Sequence, residues 1–433
     1  KLYMKNRKAL ALIAILALVA AACGGSDTAD EVVEVEVETT EAPATTEAPA
    51  TTAAPSADPL VLASLMPLSG DLASLGPGIA LGAALAVEQI NAAGGINGQP
   101  VQLIEGDSGC DGAVALTSLN DVIAQGAQGV MGAACSGTSL AILDTAIAAE
   151  VVMVSPSNTS PQFTKIDKKG FYARTAPSDL LQGDVLASLL VEDGVQTVSI
   201  ISRADSYGRG LAEATAAAFE AAGGTVKTIV YHATDASEFT SEVTAVGKGG
   251  ADAIVGILFP ETGCGVLQPA FEQGLLDTPW YMTDGVKDAG LASLCGLGTA
   301  LDGFKGTAPG SAAGEAKDAF EAAYAEVSAD GSPTFIFAPQ AYDAVMLMAI
   351  SAAANGVTGP EIASGLVAAS SGGEKCIGVA CIALAADGVD VDYVGASGEI
   401  ELNAVGDPTA ATYDIWTTEG DTNPVLKSVD FGS

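Results

Sequence analysis

The sequence predicts an α/β protein made of two doubly wound lobes that are joined by several chain crossings. Three observations carry that prediction. From Pro59 onward, continuous apolar runs of strand length alternate with longer, apolar-faced stretches of helical length. The same rhythm starts again after ARTAPS (173–178). At 433 residues the chain also exceeds what one small core organises.

The chain before Pro59 reads as an address and a tether. Met4 opens the basic stretch MKNRK, and an apolar run, ALALIAILALVA, follows. Ala20-Ala21-Ala22-Cys23-Gly24 comes next. That order is a secretory signal, and the run is short for a membrane span of about 20 residues. Small residues directly before Cys23 resemble a bacterial lipobox, which implies a lipidated Cys23 at the mature N-terminus. Ala20 departs from the leucine preferred there, and an ordinary cleaved signal is the alternative. Residues 24–58 hold nine acids and no base. VVEVEVE (32–38) alternates like a strand, but repulsion among its glutamates favours disorder. TTEAPA occurs twice, a Pro/Thr repeat that makes an extended, semi-stiff linker.

The body then unfolds in order. PLVLASLMPLSG is a buried strand with a polar turn, and GPGIALGAALAVEQINAAGG is a helix ending at Gly94-Gly95. VQLIEGDSG is a strand, and the helix after it has Asp111 placed as its N-cap. AQGVMGAAC, the helix after Ser136, and VVMVSPS complete a parallel sheet covered on both faces. After Ser178 come a helix (179–192), QTVSIIS, a helix, TVKTIVYHA, a short helix, ADAIVGILFP, another helix and PWYMTDG. FKGTAPGSAAG (304–314) reads as a second crossing before long helices at 315–327 and 336–354. GEIELNAVGDPTAATYDIW supplies short extended segments and a third. Several crossings between two lobes describe a cleft that hinges.

Charge and cysteines narrow the function. A net charge of −36 repels phosphate backbones, which excludes nucleic-acid partners. Beyond Cys23 six cysteines remain: Cys110, Cys135, Cys264, Cys295, Cys376 and Cys381. An even number in an exported chain points to disulfides. Of the fifteen pairings open to six cysteines, pairing along the chain (110–135, 264–295, 376–381) is the simplest. One histidine and no CxxC argue against zinc.

No catalytic set emerges. GPGIALG (76–82) approximates a dinucleotide fingerprint, but its third glycine comes one place late, and helix packing explains the glycines better. His232 reads as a surface or loop residue, with no GxSxG elbow to serve. VGKGG (246–250) lacks the rest of a phosphate loop. DGVDVDYVG (387–395) lacks the closing glutamate of a calcium loop and reads as a solvated hairpin. What remains is the rim of the first sheet. Ser136 and the loop Ser157-Asn158-Thr159 lie at the carboxyl ends of adjacent strands, where open α/β sheets bind ligands. The helix after Ser136 offers unpaired backbone N–H groups that suit a carboxylate. An ordinary βα unit with polar loops is the other reading of that stretch.

Ordered motifs then point to a family. PLSGDLASLGPGIALGAALAVEQINAAGGINGQPVQL, GAACSGTS, SPSNTSP, DSYGRGLA and GASGEIELNAVGDPTAATYDIW follow one another from Pro59 to the C-terminus. In these the chain resembles the type I periplasmic binding proteins, in particular the branched-chain amino acid (leucine/isoleucine/valine) binding proteins of ABC importers. Cys110 and Cys135 stand where some members carry a disulfide. The resemblance implies that fold, with residues 59–176 and 309–403 in lobe 1 and residues 177–308 and 404–433 in lobe 2. It implies that Ser136, Ser157 and Thr159 hold a ligand carboxylate, that Tyr207 closes from the second lobe, and that Asp284 meets the ligand ammonium. For Asp284 a helix N-cap is the competing role. Leu75 and Leu258 stand where leucine binders carry tyrosines, which alters the pocket volume and removes hydroxyls.

The function implied is ligand capture without catalysis or cofactor. A monomer anchored by its lipid to the outer face of the cytoplasmic membrane takes a small aliphatic amino acid and presents it to a permease and its ATPase. A binder of amides or urea is the alternative within the class. An exported sensor reporting to a membrane receptor or kinase is the alternative outside it.

Overall fold

The computed structural model describes residues 58–431. The leader with Cys23, and the linker apart from Asp58, lie outside the described residues.

β1 (Val61–Met66) is buried along its whole length and pairs in parallel with strands on both sides. Its run VLASLM has no polar face to offer solvent, so helices must cover it above and below. α1 (Gly76–Ala92), β2 (Gln102–Asp107), α2 (Gly112–Ala124), β3 (Gly129–Gly132), α3 (Ser136–Ala148), β4 (Val152–Ser155), α4 (Gln162–Lys165) and β5 (Tyr172–Arg174) follow. The sheet order is β2-β1-β3-β4-β5, parallel throughout. Asp111 caps α2 by accepting from the N–H groups of Ala113 and Val114 at 2.8 and 3.0 Å. The glycines of GPGIALG are there for packing. A Cβ on Gly76 would stand 1.9 Å from the Pro67 carbonyl oxygen, and one on Gly82 2.2 Å from that of Ala338.

The second lobe comprises α5 (Asp179–Glu192), β6 (Thr197–Arg203), α6 (Ser206–Ala221), β7 (Thr225–His232), α7 (Thr240–Gly247), β8 (Ala253–Ile257), α8 (Pro260–Glu272), β9 (Trp280–Met282), α9 (Leu291–Leu294) and β10 (Lys305–Pro309). The chain then crosses back. α10 (Glu315–Val327), α11 (Ala338–Asn355), α12 (Gly359–Gly365), β11 (Glu374–Ile377), α13 (Ala380–Ala386), β12 (Val391–Gly395) and β13 (Gly398–Glu399) lie with the first sheet's helices. α11 packs on α1, α12 and α13 and is buried from Ala338 to Ala352. A helix buried all round belongs in the middle of a layer. A third crossing leads to β14 (Ala411–Thr417) and β15 (Val425–Phe431).

The second sheet runs β15-β14-β10-β9-β8-β6-β7. It is parallel from β7 to β10, but β14 pairs antiparallel with both β10 and β15. Apolar rhythm reports burial and not strand direction, so the reversed strand is new information from the structure.

Two expectations are corrected. DGVDVDYVG is not a solvated hairpin: β12 is the buried middle strand of a three-stranded sheet, and Asp392 pairs with Lys375 at 3.2 Å. The turn after β12 is fixed from behind, because the buried Asp343 carboxylate accepts from the Ala396 and Ser397 N–H groups. His232 is not at the surface. It ends β7 fully buried, with its ring 4.5 Å from that of Phe239. Burial lowers its pKa, against the bond to the Ala233 carbonyl.

All three disulfides follow the order of the chain. Cys110–Cys135, Cys264–Cys295 and Cys376–Cys381 have Cα separations of 5.4, 4.9 and 5.3 Å.

Candidate functional site

The site is built first from loops at the carboxyl ends of β1, β3 and β4. α3 starts at Ser136 with no side-chain cap on its first turn, so its leading N–H groups face the cleft unpaired by a capping residue. The Ser136 hydroxyl accepts weakly from the Ser160 N–H at 3.4 Å. Ser157 donates to the Ala134 carbonyl at 3.1 Å.

The loop between β4 and α4 is held in place almost atom by atom. Ser155 Oγ donates to Ala133 O at 2.8 Å and accepts from the Asn158 N–H at 3.1 Å. Asn158 Nδ2 donates to the carbonyls of Ala133 and Ala134, and Tyr172 donates to Asn158 Oδ1. Arg174 Nη1 donates to the carbonyls of Asn158 and Ser160 at 3.1 and 3.0 Å. Its Nε reaches Asp407 and its Nη2 reaches Thr164. With the carbonyls turned toward Arg174, the loop is fixed by the protein's own donors. Thr159 is the exception, because its buried hydroxyl makes no hydrogen bond of good geometry.

The second lobe contributes the opposite wall. Tyr207 stands in the first turn of α6, which Asp205 caps through the Gly208 N–H. Its ring stacks on Phe259 at 5.4 Å, and the Arg203 guanidinium covers Phe259 at 3.9 Å. The Tyr207 hydroxyl meets Thr283 at 2.9 Å and donates to Asp284 Oδ1 at 3.0 Å. Gln182 Nε2 donates to the same oxygen at 2.8 Å. Asp284 therefore spends its carboxylate here and does not cap a helix. Burial pushes its pKa up to about 6, although the bonds from Gln182 and Tyr207 pull the other way.

Beside it lies a carboxylate that the sequence reading left out. Asp179 is fully buried, and neither of its oxygens has a hydrogen bond of good geometry. Burial, and then the charge of Asp284, push its pKa well above the usual range; Thr159 is near enough to oppose this in part. Its neighbour Ser178 caps α5 through the Leu180 N–H, so the pair Ser-Asp looks in sequence like an ordinary helix start.

Between the two walls lies a cavity of about 30 Å³. Ser136, Ser157, Tyr207, Asp284 and Leu75 all line it, together with Leu72, Ile79, Cys135, Phe259 and Phe337. Thr159 lies outside the lining, and its carbonyl accepts from the Asp179 N–H at 2.8 Å. Leu258 is buried in the core away from the cavity, and Phe259 has the place assigned to it. The lobes meet around the cavity. Arg203 Nη2 donates to Asp71 at 2.7 Å, and the Ile336 N–H donates to Asp288 at 3.1 Å. Among the described residues there is no cluster able to hold a metal, and no helix is long and apolar enough to cross a membrane.

The cavity thus carries the hydroxyls of Ser136 and Ser157 beside the start of α3, and one ionisable acid, Asp284. Such groups complement a small molecule that is negative at one end and positive at the other.

Comparison with known proteins agrees with that architecture. A family model described as "Periplasmic binding protein" matches residues 59–375. A Pseudomonas aeruginosa protein named "Amino acid binding protein" is 33% identical over 245 residues, which are 55% of this chain and 63% of that relative. The chain therefore spans under two thirds of that relative's length. The "Leucine-, isoleucine-, valine-, threonine-, and alanine-binding protein" of the same species is 29% identical over 304 residues, 68% of this chain and 78% of its own. Among solved structures, a branched-chain amino acid substrate-binding protein of Streptococcus pneumoniae in complex with isoleucine has a TM-score of 0.72 at 22% identity, covering 87% of this chain and 100% of its own. A solute-binding protein of R. palustris in complex with benzoate has a TM-score of 0.71 at 19% identity, covering 87% and 98%. At those identities the likeness is one of fold.

Proposed function

The chain belongs to the periplasmic binding proteins, and on that premise we propose that it captures a small aliphatic α-amino acid between its lobes and delivers it to the permease of an ABC importer. The observation that carries this reading is that Asp284 lines the same cavity as Ser136 and Ser157. Ser136, Ser157 and the N–H groups of α3 take the carboxylate, and Thr159 supports them from behind. Asp284 takes the ammonium, with the buried Asp179 carboxyl next to it. Tyr207 and Phe259 cover the ligand from the second lobe, and Leu75 contacts its side chain. We further propose that Cys23 carries a lipid and that the acidic linker holds a monomeric body outside the cytoplasmic membrane.

A benzoate-like ligand, such as the R. palustris protein carries, has no cation to offer Asp284. An amide or urea has none either. Leaving a buried charge without its partner costs about 3–5 kcal/mol, which favours the zwitterion.

A thermal-shift screen followed by titration calorimetry tests the proposal. Leucine, isoleucine, valine, alanine, benzoate and urea are compared, along with the amine and acid that each contain half of leucine's polar groups. At least one amino acid raises the melting temperature and binds, while the half-analogues bind far more weakly. Binding of benzoate or urea alone overturns the reading.

A further inference from the structure

Beside the third crossing the buried charges do not balance. Lys168 and Arg174 are 5% and 0% exposed, and one buried carboxylate, Asp407, serves both. Asp407 Oδ1 accepts from Arg174 Nε at 2.9 Å, and Oδ2 accepts from the Thr164 hydroxyl at 2.6 Å. Lys168 Nζ stands 3.7 Å from Oδ1 and makes no hydrogen bond of good geometry. Burial lowers its pKa, which Asp407 opposes and Arg174 reinforces. An ammonium has three protons to donate, and a buried one without an acceptor is costly.

Lys168 also lines a cavity of about 230 Å³, which shares no residue with the one between the lobes. It has room for several water-sized groups. Three pieces of chain bound it: the segment between α4 and β5, the end of α12 with the residues after it, and Ala404-Val405-Gly406 of the third crossing. The last is a fixed wall. The Gly406 carbonyl accepts the Arg174 N–H at 3.0 Å, and a Cβ on Gly406 would come within 2.6 Å of the Tyr172 carbonyl oxygen. Ile166, Leu366, Val367 and Val405 make the lining apolar, and Val367 and Val405 are 38% and 40% exposed. Lys169 adds a second positive charge to it. The acid in the lining, Asp167, is exposed and accepts the Lys169 N–H at 3.0 Å. KIDKK (165–169) also gathers three of the chain's 17 basic residues, in a protein of net charge −36, so an anion meets less repulsion here than over the rest of the surface.

We propose that this cavity is a second binding site, for a monocarboxylate on a short apolar chain. The carboxylate takes the Lys168 ammonium, and the chain lies against Leu366, Val367 and Val405. Turning toward the cavity costs Lys168 only its long contact to Asp407, because it holds no hydrogen bond. Asp407 is already committed to Arg174 and Thr164, so an α-amino acid finds no partner for its ammonium here. The site is thus distinct in chemistry as well as in place from the cavity between the lobes, and it does not depend on the amino-acid reading.

Calorimetric titration of hexanoate into the full chain, with and without excess leucine, tests this, with hexanamide and hexylamine as controls. Hexanoate binds with leucine present, and the two controls do not. Lys168→Met weakens hexanoate at least about tenfold. Val367→Asp, at an exposed position, sets a like charge at the rim and weakens it about fivefold. Circular dichroism and melting temperature report whether each variant folds, and Val367→Asp decides if Lys168→Met does not. No binding of hexanoate to the wild type, its displacement by leucine, or an affinity within about twofold of wild type in the folded variants overturns the second site. Each of those results leaves the amino-acid reading standing.

Discussion

Arg174 and Asp407 are 233 positions apart and meet at 2.9 Å inside the protein. Arg174 ends β5 directly before the first crossing, and Asp407 sits in the third. The same guanidinium holds the carbonyls of Asn158 and Ser160, so the crossings and the loop after β4 share one cation. Burial works against the Asp407 charge, yet Arg174 and the bonds it and Thr164 donate hold its pKa below the usual range. Asp407→Asn leaves the arginine buried with less than its due, and we expect a loss of about 3–5 kcal/mol in stability by urea denaturation. Arg174→Lys keeps a charge but not the fork of donors. Its ligand affinity should fall at least about tenfold in calorimetry while the far-ultraviolet spectrum stays native.

Asp284 makes the protein sensitive to pH in two opposite senses. Its pKa is raised from 3.8 to about 6, so the folded ligand-free protein keeps a proton that the unfolded chain releases. That contribution to stability is full below the unfolded value of 3.8 and is lost as pH rises through about 6. The amount is about 3 kcal/mol. Asp284→Asn should remove that slope from denaturation curves recorded between these pH values. Binding an ammonium needs the ionised form, so affinity should weaken below about pH 6 and binding there should release a proton. Calorimetry in two buffers of different ionisation enthalpy measures that proton. Asp179, displaced in the same direction, adds to both effects.

The disulfides separate stability from binding. Cys110–Cys135 and Cys264–Cys295 span 25 and 31 residues and Cys376–Cys381 only 5. Loop-closure entropy assigns roughly 3–4 kcal/mol to each of the first two and roughly 2 to the last. Pairwise replacement by alanine should follow that order in urea. Cys135 lines the cavity and precedes Ser136, so only the first replacement should also reduce ligand affinity.

Asp71 and Arg203 bridge the lobes at 2.7 Å, with Asp71 about a quarter exposed. Its partial exposure limits the pair to about 1 kcal/mol. Asp71→Asn should raise the ligand's dissociation rate about fivefold in stopped-flow measurements, and the difference should shrink in high salt.

Much of this was legible in the sequence for physical reasons. β1, β3 and β4 announce themselves because a strand covered on both faces must be apolar throughout. Asp111 is legible because a helix start leaves N–H groups that need an acceptor. Other features leave no local trace. Leu258 and Phe259 are both apolar at the end of a strand buried on both faces, so nothing in the pattern says which one turns to the cavity. Phe337 takes its place from a left-handed backbone that only its surroundings impose. Asp179 hides behind a serine that has an ordinary capping role. The reversed β14 follows from where the third crossing delivers the chain, which is a property of the whole fold.

The three crossings also determine how the body fails. A molecule hinged on one strand is cut in two by one cleavage in its hinge. Here the chain passes between the sheets near residues 175–178, 310–314 and 400–410, and Arg174 ties the first of these to the last. A nick in one connection leaves two covalent bridges and, at the outer pair, a buried ion pair. Protease damage at the hinge should therefore be silent in a native gel and visible only after denaturation, with the nicked protein still able to close.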